Sequence, residues 1–243
     1  MGFGERVQPR PFVNPFDLQG RGEQAKADPM KPLVLAGLLW VAQAVALEVK
    51  VVLPEQGVDD RLKAFAAKSE ALLKEWEPKV AEALGFGAHP GEVHPAAITI
   101  IFREMKGVAY WDGKAIHVAT QWVASHPEDS GLVVHELVHV LQAYRKVPGW
   151  FTEGLADYIR FQLLEKGRFG IRLDLAKMKP RDSYRVTGWF LAQAEAKHPG
   201  LIRRLHAAAK QGRDIEQAFA EHCQGRAIDP FWADLAAAAP VKK

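Results

Sequence analysis

The chain has 243 residues, of which 48% are hydrophobic and 25% charged; that is enough for one domain with a sizeable core and excludes a disordered chain. The net charge of +3 comes without a dense Lys/Arg run, which argues against nucleic acid as a partner. A single cysteine, Cys223, excludes an intramolecular disulfide and a zinc site built from several thiolates, so any metal must be held by His and carboxylates.

Residues 1–29 are rich in Pro, Gly and charge and lack an apolar period, as in a disordered or mis-annotated extension. Lys31 then precedes an uncharged apolar run, Pro32–Leu47, that ends in the small-residue pattern "AQAVA". A basic flank, a short apolar core and an A-x-A site describe a secretory signal peptide over 30–46. The run is short for a membrane span, which needs roughly 20 residues; the other reading is a buried helix. A signal begins at the true N-terminus, so Met30 is the expected start. The expected product is secreted or periplasmic, a monomer, and without stable membrane insertion after signal cleavage.

The domain over 47–243 opens with "LEVKVVLP", a first strand. "DDRLKAFAAKSEALLKEWEPKVAEALGF" is helical, with Asp59 and Asp60 at its start, Gly85 at its end, and Pro78 as a point where it splits or kinks. Ala96–Phe102 is an apolar, β-branched run and predicts a buried strand. "GVAYWDGKAIHVAT" predicts a hairpin turning at Asp112-Gly113. Beyond Ser130 only helices are predicted, over about 130–146, 150–166, 183–197, 200–211, 213–222 and 228–238. The fold class is α+β: a small mixed sheet with a hairpin in the N-terminal half, then a mostly helical C-terminal half.

The chemistry centres on "VVHELVHVLQ", Val133–Gln142. Ser130-Gly131-Leu132 offers an N-cap, with Glu128 and Asp129 favourable near the helix start. Apolar residues surround the helix almost completely, which predicts burial. His135 and His139, four apart, share one face and can reach a common ion. Glu136 lies to the side, placed to act on a water rather than to ligate; H-E-x-x-H is the zinc-protease arrangement for that reason. Zinc acidifies its water, and Glu136 is the expected base. Buried without a metal, these groups would each cost roughly 1–3 kcal/mol if unsatisfied. In the next helix, "PGWFTEGLADYIR", Glu153 can supply a third ligand and leave a position open. Asp157, one turn on, can accept from the other ring N–H of a ligating histidine. The alternative is that both are solvated acids near a helix start.

"HELVHVLQ" followed by "WFTEGLADYIR" resembles the glutamate-zincin metallopeptidases, the group of thermolysin, whose third ligand is a Glu on the following helix. With "MKGVAYWDGKAIHVATQWV", "DSYRVTGWFLAQAEAKHPGLIRRLHAAAK" and "DPFWADL", the chain is similar to the plant basic secretory proteins and their bacterial relatives over about Leu47–Leu235. The resemblance implies a secreted, zincin-like peptidase acting on peptides or proteins. One Zn2+ would be held by His135, His139 and Glu153, with Glu136 as base and acid and Asp157 behind a ligand. Thr152 stands where thermolysin has Asn, and thermolysin's oxyanion-stabilising tyrosine and histidine do not map onto this sequence. Such a reaction benefits from a donor beside the metal. Tyr184 is the first candidate, with Tyr158 and Arg185 behind it; the other reading of Tyr184 is a packing residue at a helix start.

In glutamate zincins an edge strand pairs with the substrate backbone; "AIHVA" or "GVAYW" is the expected edge, and His117 is expected to be a strand side chain rather than a ligand. No motif for holding a free α-amine is present, which favours an endopeptidase over an aminopeptidase. A secreted zinc-binding or defence-type protein with little turnover is the reading from another class, and the intact Glu136 argues against it. A purely structural helical protein requires the ligand pattern to be coincidence. The tryptophans, Trp111, Trp122, Trp150, Trp189 and Trp232 among them, are expected in the core, and Cys223 is expected to be buried and inert.

Overall fold

A computed structural model describes residues 47–88, 91–168 and 173–238. Residues 1–29, expected to be an extension, and 30–46, expected to be a signal peptide, lie outside the described residues. Four strands form one mixed sheet: β1 (Glu48–Val52), β2 (Ala97–Arg103), β3 (Ala109–Trp111) and β4 (Ala115–Ala119), in the order β1-β2-β4-β3. β1, β2 and β4 run parallel, and β3 closes antiparallel on β4 as an edge. β2 alternates, with Ile98, Ile100 and Phe102 buried, the period a strand packed on one face requires. β4 lies between two neighbours and is buried along its whole length. The hairpin thus resolves its two strands: "GVAYW" carries the open edge and "AIHVA" is interior.

Helix α1 (Asp60–Leu84) crosses from β1 to β2. Asp59 caps it by accepting the Leu62 N–H at 2.8 Å, and Gly85 ends it at φ 68°, a left-handed turn suited to glycine. Pro78 does not break it. Pro78 and Lys74 are both exposed, so water can satisfy the carbonyl that proline's missing N–H leaves open. Phe65 of α1 meets Phe102 of β2 edge-to-face, at 6.1 Å between ring centres.

A short helix, α2 (Thr120–Ser125), follows the hairpin and has no clear sequence signature. Helix α3 (Leu132–Gln142) begins and ends inside its predicted bounds. Its N-cap is Gly131, with no side-chain cap; Ser130 is buried instead, and Asp129 accepts from Trp122 Nε1 at 2.9 Å and pairs with Arg160. Ala143 takes a left-handed conformation at φ 40° and stops the helix. The predicted 150–166 helix is two segments, α4 (Gly149–Asp157) and a π-helical stretch over Tyr158–Leu164.

The helical half continues with α5 (Tyr184–Lys197), α6 (Leu201–Lys210), α7 (Ile215–His222) and α8 (Ile228–Ala238). Ser183 caps α5 by accepting the Val186 N–H. Phe190, Phe219, Phe231 and Trp232 pack ring on ring at 5.5–6.0 Å. α4 and α5 cross closely because glycine faces the partner on each side. A Cβ at Gly154 would stand 2.2 Å from Thr187 Cγ2, and one at Gly188 would stand 2.8 Å from the Tyr158 backbone nitrogen. This crossing fixes α4, and with it Glu153, against the helical half. Cys223 is buried, and burial raises its thiol to about 11, so it stays protonated. Trp232 is buried, whereas Trp111 and Trp122 are half-buried and line the cleft described next.

Candidate active site

Helix α3 lies under the sheet edge, with Leu132, Val133, Val134, Leu137, Val138 and Leu141 buried. His135 and His139 break this pattern on the face toward α4. Their rings lie 4.9 Å apart at 83°. Their Nε2 atoms converge on one oxygen of Glu153, His135 at 3.2 Å and His139 at 3.5 Å. The three side chains can offer ligand atoms all within 4.8 Å of one another. Two imidazoles and one carboxylate, with no further protein donor in this group among the described residues, suit zinc with an open position.

The far side of each ring is also held. His135 Nδ1 lies 2.8 Å from Asp157 Oδ1, and His139 Nδ1 lies 2.8 Å from Gln142 Oε1. Burial alone would lower the His135 imidazole, but hydrogen bonds to Asp157 and Glu153 overcome it and raise the pKa to about 9. Burial likewise opposes ionisation of Glu153, and its bonds to His135 and His139 win, lowering it to about 2. One pKa rises and the other falls, and both shifts favour the charged forms, as ion pairing between them requires.

Glu136 faces the sheet edge. Burial is the main cause that raises its carboxyl above the ordinary value, and the Trp111 backbone N–H donates to it. Its Oε2 is buried and has no hydrogen-bond partner among the described residues. The ladder explains the Trp111 contact. Ala119 N–H bonds Val108 C=O and Asp112 N–H bonds Ala115 C=O. Antiparallel pairs alternate, so Tyr110 faces β4 while Ala109 and Trp111 turn their backbone groups to the open edge. That edge offers the Ala109 N–H and C=O and the Trp111 C=O beside the histidines.

A family model described as "Peptidase of plants and bacteria" matches residues 43–235. The chain belongs to this family, the basic secretory protein peptidases. Comparison with curated proteins gives no match.

In this peptidase the histidines and Glu153 open into a cleft of about 900 Å³. Val108–Trp111 forms one wall; Arg160, Phe161, Tyr184 and Arg185 contribute to another. Tyr184, at the start of α5, is 53% exposed and its hydroxyl makes no hydrogen bond among the described residues. Arg185 lies over the Phe161 ring at 4.2 Å. Tyr158 does not reach the cleft. It is buried against the core, and burial with the nearby Glu195 raises its hydroxyl to about 12. Tyr144 lines the cleft, but its hydroxyl is bonded to His206 Nδ1 at 2.8 Å. His117 sits on β4, bonded to Asp112 at 2.9 Å and stacked on Tyr110, apart from the convergence of His135, His139 and Glu153. Sequence reasoning missed Gln142. Its one available signal was its place three residues after His139, one turn along the same helix face.

Proposed function

We propose that this peptidase is a zinc-dependent endopeptidase of the glutamate-zincin type, secreted or periplasmic, that cleaves peptide bonds in proteins. The observation that carries this is the convergence of both histidine Nε2 atoms on a single Glu153 oxygen, at 3.2 and 3.5 Å. His135, His139 and Glu153 would hold one ion. When bound there, zinc supplies Lewis-acid chemistry, acidifying a water and polarising a carbonyl.

The remaining work falls to the chain's own groups. An extended peptide pairs with the β3 edge through Ala109 and Trp111, gaining affinity from main-chain bonds. Glu136 takes the proton of the attacking water on its unpaired Oε2 and passes it to the departing amine. Burial raises its carboxyl above the ordinary value, so it holds the proton between the two transfers better than a solvated carboxylate would. Tyr184 donates its hydroxyl to the oxyanion as the carbonyl becomes tetrahedral. The cleft's acids support an endopeptidase: Asp129 is paired with Arg160, Asp157 with His135, Glu153 with both histidines. Glu136 is the base, so among the described residues the lining offers no spare carboxylate for a free α-amine. Export is supported by the signal-like segment over 30–46.

The test is zinc stoichiometry by equilibrium dialysis, followed by casein hydrolysis with and without chelator. One zinc per chain and chelator-sensitive hydrolysis restored by zinc are expected. Hydrolysis indifferent to chelator, with no zinc bound, refutes the reading.

A further inference from the structure

We infer that Gln142 is a positioning residue that locks His139 in the tautomer a metal needs and ties that histidine to the segment carrying Glu153; this rests on the zinc reading above. Gln142 is the last residue of α3 and is 1% exposed. Its Nε2 donates to the Thr152 carbonyl at 2.9 Å, and its Oε1 lies 2.8 Å from His139 Nδ1. A carbonyl can only accept, so the amide nitrogen must face Thr152 and the amide oxygen must face the imidazole. An amide oxygen also only accepts, so His139 carries its proton on Nδ1. In the neutral ring Nε2 then carries the lone pair a metal needs, 3.5 Å from Glu153. The assignment follows from the network rather than from an assumed protonation state.

The consequence is a clamp between two helices. Thr152 immediately precedes Glu153, so one buried side chain sets a histidine ligand on α3 and the backbone beside the carboxylate ligand on α4. The clamp is anchored in turn. Lys210 of α6 donates to the Gln142 backbone carbonyl at 3.1 Å and lies 3.8 Å from Glu92, which is itself buried against His206. A cation at a helix C-terminus is the favourable placement. His135 and His139 are therefore held differently, one by the carboxylate of Asp157 and the other by a neutral amide. A carboxylate at position 142 could still accept from His139, but it could not donate to Thr152.

The test uses the full chain with Gln142→Met and Gln142→Glu, reading zinc affinity by chelator competition and folding by thermal unfolding of the metal-free proteins. Both variants are expected to bind zinc about 10–100-fold more weakly, the usual effect of losing a group that orients a ligand. A folded Gln142→Met chain with wild-type affinity overturns the inference; wild-type affinity in Gln142→Glu alone overturns the tie to Thr152. A direct reading that needs no variant is the nitrogen-15 spectrum of the histidine rings in the metal-free wild type. A proton on His139 Nδ1 is expected, and a neutral ring protonated only on Nε2 overturns the assignment. If the wild type binds no zinc at all, the zinc reading fails, whereas the ring spectrum still judges the amide's orientation.

Discussion

Replacing Gly154 by Ala tests whether the α4–α5 crossing is what places Glu153. The new methyl would stand 2.2 Å from Thr187 Cγ2 and 2.5 Å from its Cβ. An ordinary carbon–carbon contact is about 3.5 Å, so one helix must yield by roughly 1 Å. Thr187 has little freedom to move aside, being fully buried with its hydroxyl donating to the Pro180 carbonyl at 2.8 Å. Overpacking of this kind costs about 1–3 kcal/mol. In a domain of this size that lowers the melting temperature by roughly 2–12 °C. Because Glu153 is the adjacent residue, the same displacement should weaken zinc binding about tenfold or more, as a loosened ligand does. Denaturant unfolding of the metal-free protein and zinc competition measure the two effects. Thr187→Gly in the Gly154→Ala background removes both clashing carbons and should recover zinc affinity. Unchanged stability and affinity in Gly154→Ala would refute the claim that this crossing positions the ligand.

Glu153→Ala should lose most zinc affinity while the chain remains folded, measured by dialysis and far-ultraviolet circular dichroism. Tyr184→Phe should lower kcat about 10²–10³-fold, the cost of removing one oxyanion donor, with zinc affinity and melting temperature unchanged; unchanged kcat would return Tyr184 to a packing role. Zinc affinity should rise with pH up to about 9, because the metal must displace the proton that Asp157 and Glu153 hold on His135. The metal-free fold should show the opposite trend. A histidine raised from 6.5 to about 9 stabilises the fold fully below 6.5 and loses that contribution as pH climbs toward 9. Urea unfolding across this range, with and without zinc, reads both signs.

The local grammar of the sequence located most elements. Asp59 and Gly85 cap α1 as their side-chain chemistry requires, Asp112-Gly113 turns the hairpin, and the apolar encirclement of α3 marks a buried helix. What it did not reveal depends on distant partners. Which hairpin strand is the edge follows from β2 pairing with β4 rather than with the nearer β3, a choice that no local pattern encodes. Ser130 has the chemistry of an N-cap, but it is buried in the native packing and the helix starts without one. The π-helical stretch after Asp157 coincides with the point where Gly188 of α5 presses on the Tyr158 backbone, and no local pattern encodes that contact. The same packing buries Tyr158, which helical spacing alone could not place. Gln142 escaped notice because an amide carries no charge or metal-ligand signature. Its importance lies in two hydrogen bonds that exist only once α3 and α4 are side by side.

If Glu136, and not merely a bound ion, makes this chain a peptidase, casein hydrolysis must differ between wild type and Glu136→Gln, prepared identically and loaded with zinc. Equal zinc content and a loss of hydrolysis of at least about 10²–10⁴-fold in the variant are expected, the contribution of a positioned proton-transfer group. Equal hydrolysis by the two zinc-loaded proteins would contradict that role for Glu136.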